Sequence, residues 1–171
     1  KRKIKNKGGA RFSFVLTGGK SPIKLYKNLA KEKNIPWRNI DFFFGDERCV
    51  NKNSKDSNIY MCKKNLLKKI PILKSQIYEI NIKNTKLKNI AREYEKKIKK
   101  YFNGKKICFD LTLLGVGNDG HIASLFKNNI NKTNKKYVDF VIRKDFKRIT
   151  LTIKCINNSK NIFLWAPGKN K

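Results

Sequence analysis

Short runs of apolar residues recur along this chain, and each is bounded by glycine or by polar residues. Runs of this length predict strands of a sheet rather than helices. The most informative run opens the stretch 109–126, F-D-L-T-L-L-G-V-G-N-D-G-H-I-A-S-L-F, where a buried strand over 109–114 leads directly into a glycine-rich turn. The other predicted strands are Arg11–Leu16, Ile40–Phe44, Ile77–Ile82, Tyr137–Ile142, Arg148–Ile153 and Asn161–Ala166.

Helical periodicity fills most of the intervals between these strands. Residues 87–102 carry apolar side chains at steps of three and four, the clearest amphipathic pattern in the chain. A helix is also expected after the first strand, with Ser21 as its N-cap and Pro22 as its first residue. Another is expected to begin at Ser57 and to continue to about Ile70, and a short apolar helix is expected to open at His121.

The alternation of strands and helices predicts an α/β protein with a mostly parallel sheet. With 171 residues, of which 39% are hydrophobic, the chain is long enough for one ordinary domain with a core. We therefore expect a single domain over 11–171, preceded by a solvated basic arm over 1–10. In an open sheet of this kind, ligands bind at the carboxyl ends of the strands, so the loops that follow the strands are the places to search for chemistry.

The charge of the chain is strongly unbalanced, with 42 Lys and Arg residues, 12 Asp and Glu residues and a formal net charge of +30. Such an excess raises a basic nucleic-acid-binding domain as one hypothesis for the function. However, the lysines are scattered through every segment, and no zinc-ligand spacing, helix-turn-helix pattern or aromatic RNA-binding signature accompanies them. A specific nucleic-acid partner is therefore not expected, whereas attraction of small anions is.

The cysteines and the hydropathy pattern bear on location. Four cysteines are far apart and form no C-x-x-C pair, which is typical of reduced thiols in an intracellular protein. No apolar run approaches the ~20 residues of a membrane span. The first residues, K-R-K-I-K-N-K, lack the apolar core of a secretory signal. We expect a cytoplasmic protein with no membrane partner.

The loop after the first strand has the composition of an anion site. Thr17, Gly18, Gly19 and Ser21 lie between the strand and the next predicted helix, where backbone N–H groups and a helix start favour a phosphate group. The loop does not have the G-x-x-x-x-G-K-[ST] spacing of a Walker A motif. An ordinary tight turn between strand and helix remains the alternative interpretation.

Charged residues also follow the strand predicted at Ile40–Phe44. Gly45 leads into Asp46, Glu47 and Arg48, directly after an apolar run. Such residues are either the solvated lip of a loop or a set of catalytic and binding groups, and their place at the end of a strand favours the second interpretation.

His121 is the only histidine of the chain and follows Asp-Gly at the end of the strand over 109–114. A neutral imidazole in that position is suited to take a proton from water. Zinc needs three or four close protein ligands, and the chain has no second histidine, so no metal is expected. Residues 115–120 formally match the dinucleotide pattern G-x-G-x-x-G, but the short apolar stretch that follows and the absence of a well-placed ribose-binding acid argue against a nucleotide cofactor.

Four stretches in order resemble 6-phosphogluconolactonases. They are L-T-G-G-K-S-P at 16–22, F-F-G-D-E-R-C-V at 43–50 with D-S-N at 56–58, the stretch 109–126, and K-R-I-T-L-T at 147–152. The resemblance implies a doubly wound sheet flanked by helices, as in glucosamine-6-phosphate isomerases and ribose-5-phosphate isomerase. It also implies hydrolysis of 6-phospho-D-glucono-1,5-lactone without metal or cofactor. A glucosamine-6-phosphate isomerase or deaminase is the alternative, although Arg48 and A-S-L-F after the histidine favour the lactonase.

The resemblance also implies roles for particular residues. His121 would be the general base that deprotonates the attacking water, and Asp46 would orient the imidazole or a sugar hydroxyl. The loop residues named above would hold the phosphate together with Arg48 and Lys171, while Arg148 is a weaker candidate for a charged contact or an anchor of a strand end.

Members of the resembled family usually carry helices before the first strand and after the last one. We therefore expect this chain to be part of a longer polypeptide. Because the family occurs fused to glucose-6-phosphate dehydrogenase in some lineages, fusion to or association with that enzyme is a further expectation.

Overall fold

The structure is a computed structural model that describes residues 11–83, 86–130 and 136–167. The basic arm predicted for 1–10 and Lys171 lie outside the described residues. The strands are β1 (Phe12–Leu16), β2 (Ile40–Phe44), β3 (Asp46–Arg48), β4 (Leu111–Gly115), β5 (Val138–Ile142), β6 (Lys147–Leu151) and β7 (Ile162–Trp165). The helices are α1 (Ile23–Leu29), α2 (Asn58–Cys62), α3 (Leu87–Tyr101) and α4 (Ile153–Asn157).

Four parallel strands form the central sheet in the order β2-β1-β4-β7. All residues of β1 and β2 are buried in the core, and only Ser13 in β1 and Asp41 in β2 interrupt their apolar sequences. This sheet and its flanking helices confirm the predicted α/β fold with a mostly parallel sheet. Since parallel strands end at the same edge, the loops after β1, β2 and β4 meet there.

A second, antiparallel sheet with the order β3-β6-β5 lies beside the first and was not predicted. Strand β3 consists of Asp46, Glu47 and Arg48, which carry no apolar signal from which a strand could be recognised. It is a strand because its backbone pairs with β6, in a register that places Arg48 opposite Arg148. Because Asp46 and Glu47 are buried in this strand, the less favoured of the two interpretations, the solvated lip of a loop, is wrong.

The helices confirm part of the predicted pattern. In α3 the buried residues are Ile90, Ala91, Tyr94 and Ile98, and the hydroxyl of Tyr94 bonds to the backbone of Phe44 at the end of β2. Ser57 caps α2 as predicted, by accepting a hydrogen bond from the amide of Tyr60. For α1, Pro22 rather than Ser21 is the N-cap, with no side-chain cap hydrogen bond, so that detail of the prediction is wrong.

Helix α2 is shorter than predicted. It ends at Cys62 and is followed by a π-helical turn over Lys63–Leu67. The side-chain amide of Asn65 donates to the carbonyl oxygen of Met61 at 2.8 Å, the acceptor that an α-helix would offer to the backbone amide of Asn65. This side-chain bond accounts for the change of helical pitch.

Two further predictions are wrong. Residues 77–82 form no strand and share only one bridge, between Ile77 and Phe42. No helix opens at His121: Ile122 makes isolated bridges with Val116 and Leu125, and Ala123 has a positive φ of 49°. The amide of Ser124 donates to Thr150 Oγ1 and its hydroxyl donates to Asp46 Oδ2. These hydrogen bonds with residues far away in the sequence replace those of a helix.

No helix of the described ranges is both long enough and apolar enough to cross a membrane. All four cysteines are free thiols, as predicted.

Candidate active site

A pocket of about 240 Å³ opens at the carboxyl edge of the central sheet. The loops after β1 and β4 form two of its walls, and β3, β6 and the start of α2 complete it. The pocket brings together seven of the eight residues that the sequence singled out: Thr17, Gly18, Gly19, Ser21, Asp46, Arg48 and His121. The eighth, Lys171, is outside the described residues.

Thr17 joins two loops of the pocket. Its hydroxyl oxygen accepts a hydrogen bond of 3.0 Å from the amide of Gly115 at the end of β4. Its own amide donates to the hydroxyl of Tyr26, which in turn donates to the carbonyl oxygen of Thr17. These bonds tie the loop after β1 to both α1 and β4.

Gly18 lies against the side chain of Asn58. A Cβ atom at Gly18 would be 1.9 Å from the Cγ atom of Asn58, which is far closer than atoms can approach. Only glycine therefore lets the backbone of the loop pass beside α2 at this point.

Arg48 and Arg148 form the positive side of the pocket from opposite positions on β3 and β6. Arg48 donates to the carbonyl oxygen of Asp56, and Arg148 pairs with the carboxylate of Asp145. The Nε atoms of both arginines are buried and have no hydrogen-bond partner among the described residues. Two neighbouring guanidinium groups with unused donors are suited to bind an anion.

Asp46 is buried in the pocket wall, where its carboxylate accepts hydrogen bonds from Ser124 Oγ (2.7 Å) and Asn58 Nδ2 (2.9 Å). Burial raises the pKa of Asp46, although the hydrogen bond from Ser124 and the positive charges of Arg48 and Arg148 oppose that shift. The carboxylate makes no hydrogen bond to the imidazole of His121.

The side chain of Glu47 turns away from this pocket. Its two carboxylate oxygens accept hydrogen bonds from the amides of Arg48, Asn58 and Ile59 and from the hydroxyl of Ser57. Glu47 therefore stabilises the first turn of α2, where a negative charge is favourable.

His121 lies on the turn that follows β4, with its Nδ1 atom paired to the carboxylate of Asp119. The ring packs on Phe126 with a centroid distance of 4.5 Å. A Cβ atom on Gly117 would be 2.2 Å from the ring, so this position has no room for a side chain. Because Nδ1 is occupied by the carboxylate, Nε2 is the nitrogen that remains for proton transfer.

Asp119 is a further residue of the site, and it was not among the residues predicted from the sequence. Its hydrogen bond to His121 holds the pKa of the Asp119 carboxyl below its usual value. Its position two residues before the histidine in a tight turn was the available signal, because Asp side chains in turns commonly bond to groups two residues ahead.

Among the described residues, no group of three or more His, Cys, Asp or Glu side chains is arranged to hold a metal ion.

Comparisons with known proteins agree on one family. The family described as glucosamine-6-phosphate isomerases/6-phosphogluconolactonase matches residues 1–171. A 6-phosphogluconolactonase of a Nostoc species is 34% identical, over 98% of this chain and 70% of that protein. One from a Synechocystis species is also 34% identical, over 93% of this chain and 68% of that protein.

Solved structures give the same result. A 6-phosphogluconolactonase from Thermotoga maritima is 28% identical with a TM-score of 0.83, covering 95% of this chain and 72% of that one. The enzyme from Leishmania guyanensis is 25% identical with a TM-score of 0.84, covering 99% of this chain and 75% of that one. The chain therefore matches about two thirds to three quarters of the length of these proteins.

Proposed function

The chain belongs to the family of glucosamine-6-phosphate isomerases and 6-phosphogluconolactonases, and we propose that it hydrolyses 6-phospho-D-glucono-1,5-lactone to 6-phosphogluconate. The relatives named 6-phosphogluconolactonase support the choice of substrate. The single observation that carries the proposal is the pocket itself, which is lined both by a histidine paired to a carboxylate and by two arginines with unused donors.

In this proposal His121 is the general base. Its Nε2 atom takes a proton from water, and the oxygen of that water attacks the lactone carbonyl carbon. The bond between that carbon and the ring oxygen then breaks, and the imidazolium of His121 returns its proton to the ring oxygen, which becomes a hydroxyl group of the open-chain acid. Asp119 holds the proton on Nδ1 and stabilises the imidazolium that forms, because its carboxylate accepts from that atom.

Binding of the substrate is assigned to the other residues that line the pocket. The loop of Thr17, Gly18, Gly19 and Ser21 offers the backbone amides of its glycines to the phosphate group, and Arg48 supplies a planar guanidinium with Arg148 beside it. The contact of Lys171 with the phosphate group stays a prediction. Asp46 is assigned to a sugar hydroxyl rather than to the imidazole, since Asp119 already occupies Nδ1 of His121.

The experiment that tests this proposal measures acid release from freshly prepared lactone by the full chain, with a chelator present and with the spontaneous rate subtracted. We expect hydrolysis that is unaffected by the chelator. Ammonia release from glucosamine 6-phosphate in place of lactone hydrolysis would show that the chain is a deaminase of the same family.

The finer expectations about cell context are part of the proposal. We place the protein in the cytoplasm, on the support of four free thiols. Association with glucose-6-phosphate dehydrogenase stays a prediction, which co-purification of the two activities would test.

A further inference from the structure

A second cavity of about 580 Å³ lies on the opposite side of β3 from the candidate active site. Glu47 and Ser57 border it, whereas Asp46, Arg48 and Asn58 border the active-site pocket. The two cavities therefore share β3 and the start of α2 as a common wall. We call the second cavity the lysine cleft, after six lining residues: Lys52, Lys63, Lys64, Lys68, Lys83 and Lys97.

The two acidic residues of the lysine cleft, Glu47 and Glu79, do not neutralise the positive charge of its six lysines. Glu79 pairs with Lys63 at 2.6 Å, and its carbonyl oxygen accepts from Lys97 at 2.6 Å. The carboxylate of Glu47 is engaged by α2, as described above. Burial lowers the pKa of Lys97, because the ammonium group is partly removed from water.

The four remaining lysines of the cleft, Lys52, Lys64, Lys68 and Lys83, are exposed and form no ion pair within the described ranges. All four line the same concave surface, and a concave shape concentrates the potential that attracts an anion. A ligand with several negative charges would therefore be favoured over one with a single charge.

The backbone of the lysine cleft is unusual at one point. Lys63 and Lys64 begin the π-helical turn that follows α2. Such turns are rare and occur frequently at functional sites. The turn changes the direction in which these side chains leave the helix, relative to a continuous α-helix.

The lining of the cleft is not only charged. Ile59, Ile80, Ile82 and the ring of Tyr60 also contribute to it. Its volume falls within the range of small-molecule sites, about 300–1,000 Å³. An inorganic phosphate ion would leave this apolar surface unused, and an extended nucleic acid favours a continuous basic surface rather than a closed cleft.

We propose that the lysine cleft binds an organic polyphosphate, meaning a compound in which two or more linked phosphate groups are attached to a ring system, such as a nucleoside triphosphate. The phosphates would contact the exposed lysines, and the ring would pack on Tyr60 and the isoleucines. This site is distinct from the lactone site and does not depend on the proposed activity.

The test is calorimetric titration of the full chain with ATP in the presence of a chelator. We expect saturable binding below about 1 mM, with inorganic phosphate and adenosine each binding at least about tenfold more weakly. The double substitution Lys64→Gln with Lys68→Gln should weaken ATP binding about tenfold, since each exposed charge contact contributes up to about 1 kcal/mol.

The matched control is the double substitution Lys96→Gln with Lys100→Gln. These two lysines are exposed on α3, have the same spacing of four residues and do not line the cleft. The control should change ATP affinity less than about twofold, because it removes the same net charge without removing a contact.

Several results would overturn the proposal. Equal losses in the two double variants would mean that ATP responds only to net charge. Loss of ATP binding in Arg48→Ala, with the cleft variants unaffected, would place ATP in the active-site pocket. Tighter binding of a 20-nucleotide single-stranded DNA than of ATP, abolished by the cleft substitutions, would assign the surface to nucleic acid. Absence of saturable ATP binding would remove the proposal altogether.

Discussion

Asp46 and Glu47 are adjacent buried carboxylates whose surroundings differ completely. Asp46 is 6% exposed, borders the active-site pocket and accepts hydrogen bonds from two side chains, those of Ser124 and Asn58. Glu47 is 1% exposed and accepts from three backbone amides and the hydroxyl of Ser57. Successive side chains of a strand point to opposite faces, so a strand of three residues separates the two environments.

The difference shows that the two faces of β3 have different roles: one contributes to the pocket, and the other stabilises the fold. Burial raises the pKa of both carboxyl groups, so burial alone does not distinguish them. The hydrogen-bond partners do: fixed backbone donors hold Glu47 in place as a structural group. The pocket side instead combines Asp46 with the guanidinium groups of Arg48 and Arg148 and with His121. Substitutions on the pocket side should therefore change kinetics, and those on the other side should change stability.

The largest effect is expected on the pocket side, from His121→Ala. If His121 is the base, kcat should fall about a hundredfold or more with little change in KM, because a positioned base contributes 10²–10⁴ in rate. The side chain is only 27% exposed and its ring packs on Phe126, so some loss in the free energy of unfolding is expected as well and has to be measured separately. Steady-state kinetics together with urea denaturation measure both quantities. A variant that folds normally and keeps most of its kcat would show that the histidine is structural.

On the other side of β3, Glu47→Gln should reduce the free energy of unfolding by about 2 kcal/mol. The amide NH₂ of glutamine would face at least one N–H donor that now has a carboxylate acceptor, and an unsatisfied buried donor costs about 1–3 kcal/mol. Urea denaturation measures the loss. Glu93→Gln, at an exposed position of α3, is the matched control and should be close to neutral. A neutral result at Glu47 would contradict its assignment as a structural group.

A smaller and more selective effect is expected from Arg48→Ala. KM for the phosphorylated lactone should rise about tenfold, since a charge-assisted hydrogen bond contributes about 1.5–3 kcal/mol. KM for gluconolactone, which has no phosphate, should change little. Arg48→Lys should restore only part of the affinity, because an ammonium group does not match two phosphate oxygens at once. Exposed Arg38 provides a matched control. Equal losses on both substrates would assign Arg48 to another role.

The smallest effect concerns Asp46→Asn, which should raise the free energy of unfolding by roughly 1 kcal/mol near pH 8, as substitutions that relieve a strained functional site commonly do. An asparagine can accept from Asn58 and donate to Ser124, so both contacts survive while the buried charge disappears. Because burial raises the pKa of Asp46, the folded wild-type protein takes up this proton at a higher pH than the unfolded chain does. The advantage of the variant should therefore shrink as the pH falls. Thermal melts between pH 8 and pH 5 measure it, and a destabilised variant would show that Asp46 supports the fold as Glu47 does.

The sequence predicted the central sheet because its strands are short, mainly apolar runs bounded by glycine or polar residues, and such runs are typical of buried strands. It did not predict β3, whose residues Asp46, Glu47 and Arg48 are all charged. The burial of Asp46 and Glu47 depends on α2, which follows β3 in the chain, and on β6, which is distant in the sequence and near only in the fold. For the same reason, the apolar residues after His121 indicated a helix that the distant bonds of Ser124 do not allow.

The prediction of the candidate site depended more on the position of residues at the ends of strands than on their residue types. Segments that follow the carboxyl ends of parallel strands converge, and the structure gathers Thr17 and His121 from two loops and Asp46 from strand β3, which follows β2. The two pairings within the pocket differ in how far the sequence could have predicted them. The pairing of Asp119 with His121 is local, and its spacing of two residues in a turn was a usable signal. The position of Arg148 opposite Arg48 depends on the register of β3 with β6, which no local pattern contains.

The antiparallel pairing of β3 with β6 also links enzymatic turnover to the folding of the smaller sheet. In the observed register Asp46 lies opposite Thr150, and Arg48 lies opposite Arg148. A slip of β3 by a single residue would turn Asp46 and Arg48 toward the helix and bring Glu47 to the pocket, because the side-chain period of a strand is two. A misregistered chain could retain its secondary structure and still lack the two-arginine site. During refolding, recovery of activity would therefore report correct strand registration, which circular dichroism does not distinguish.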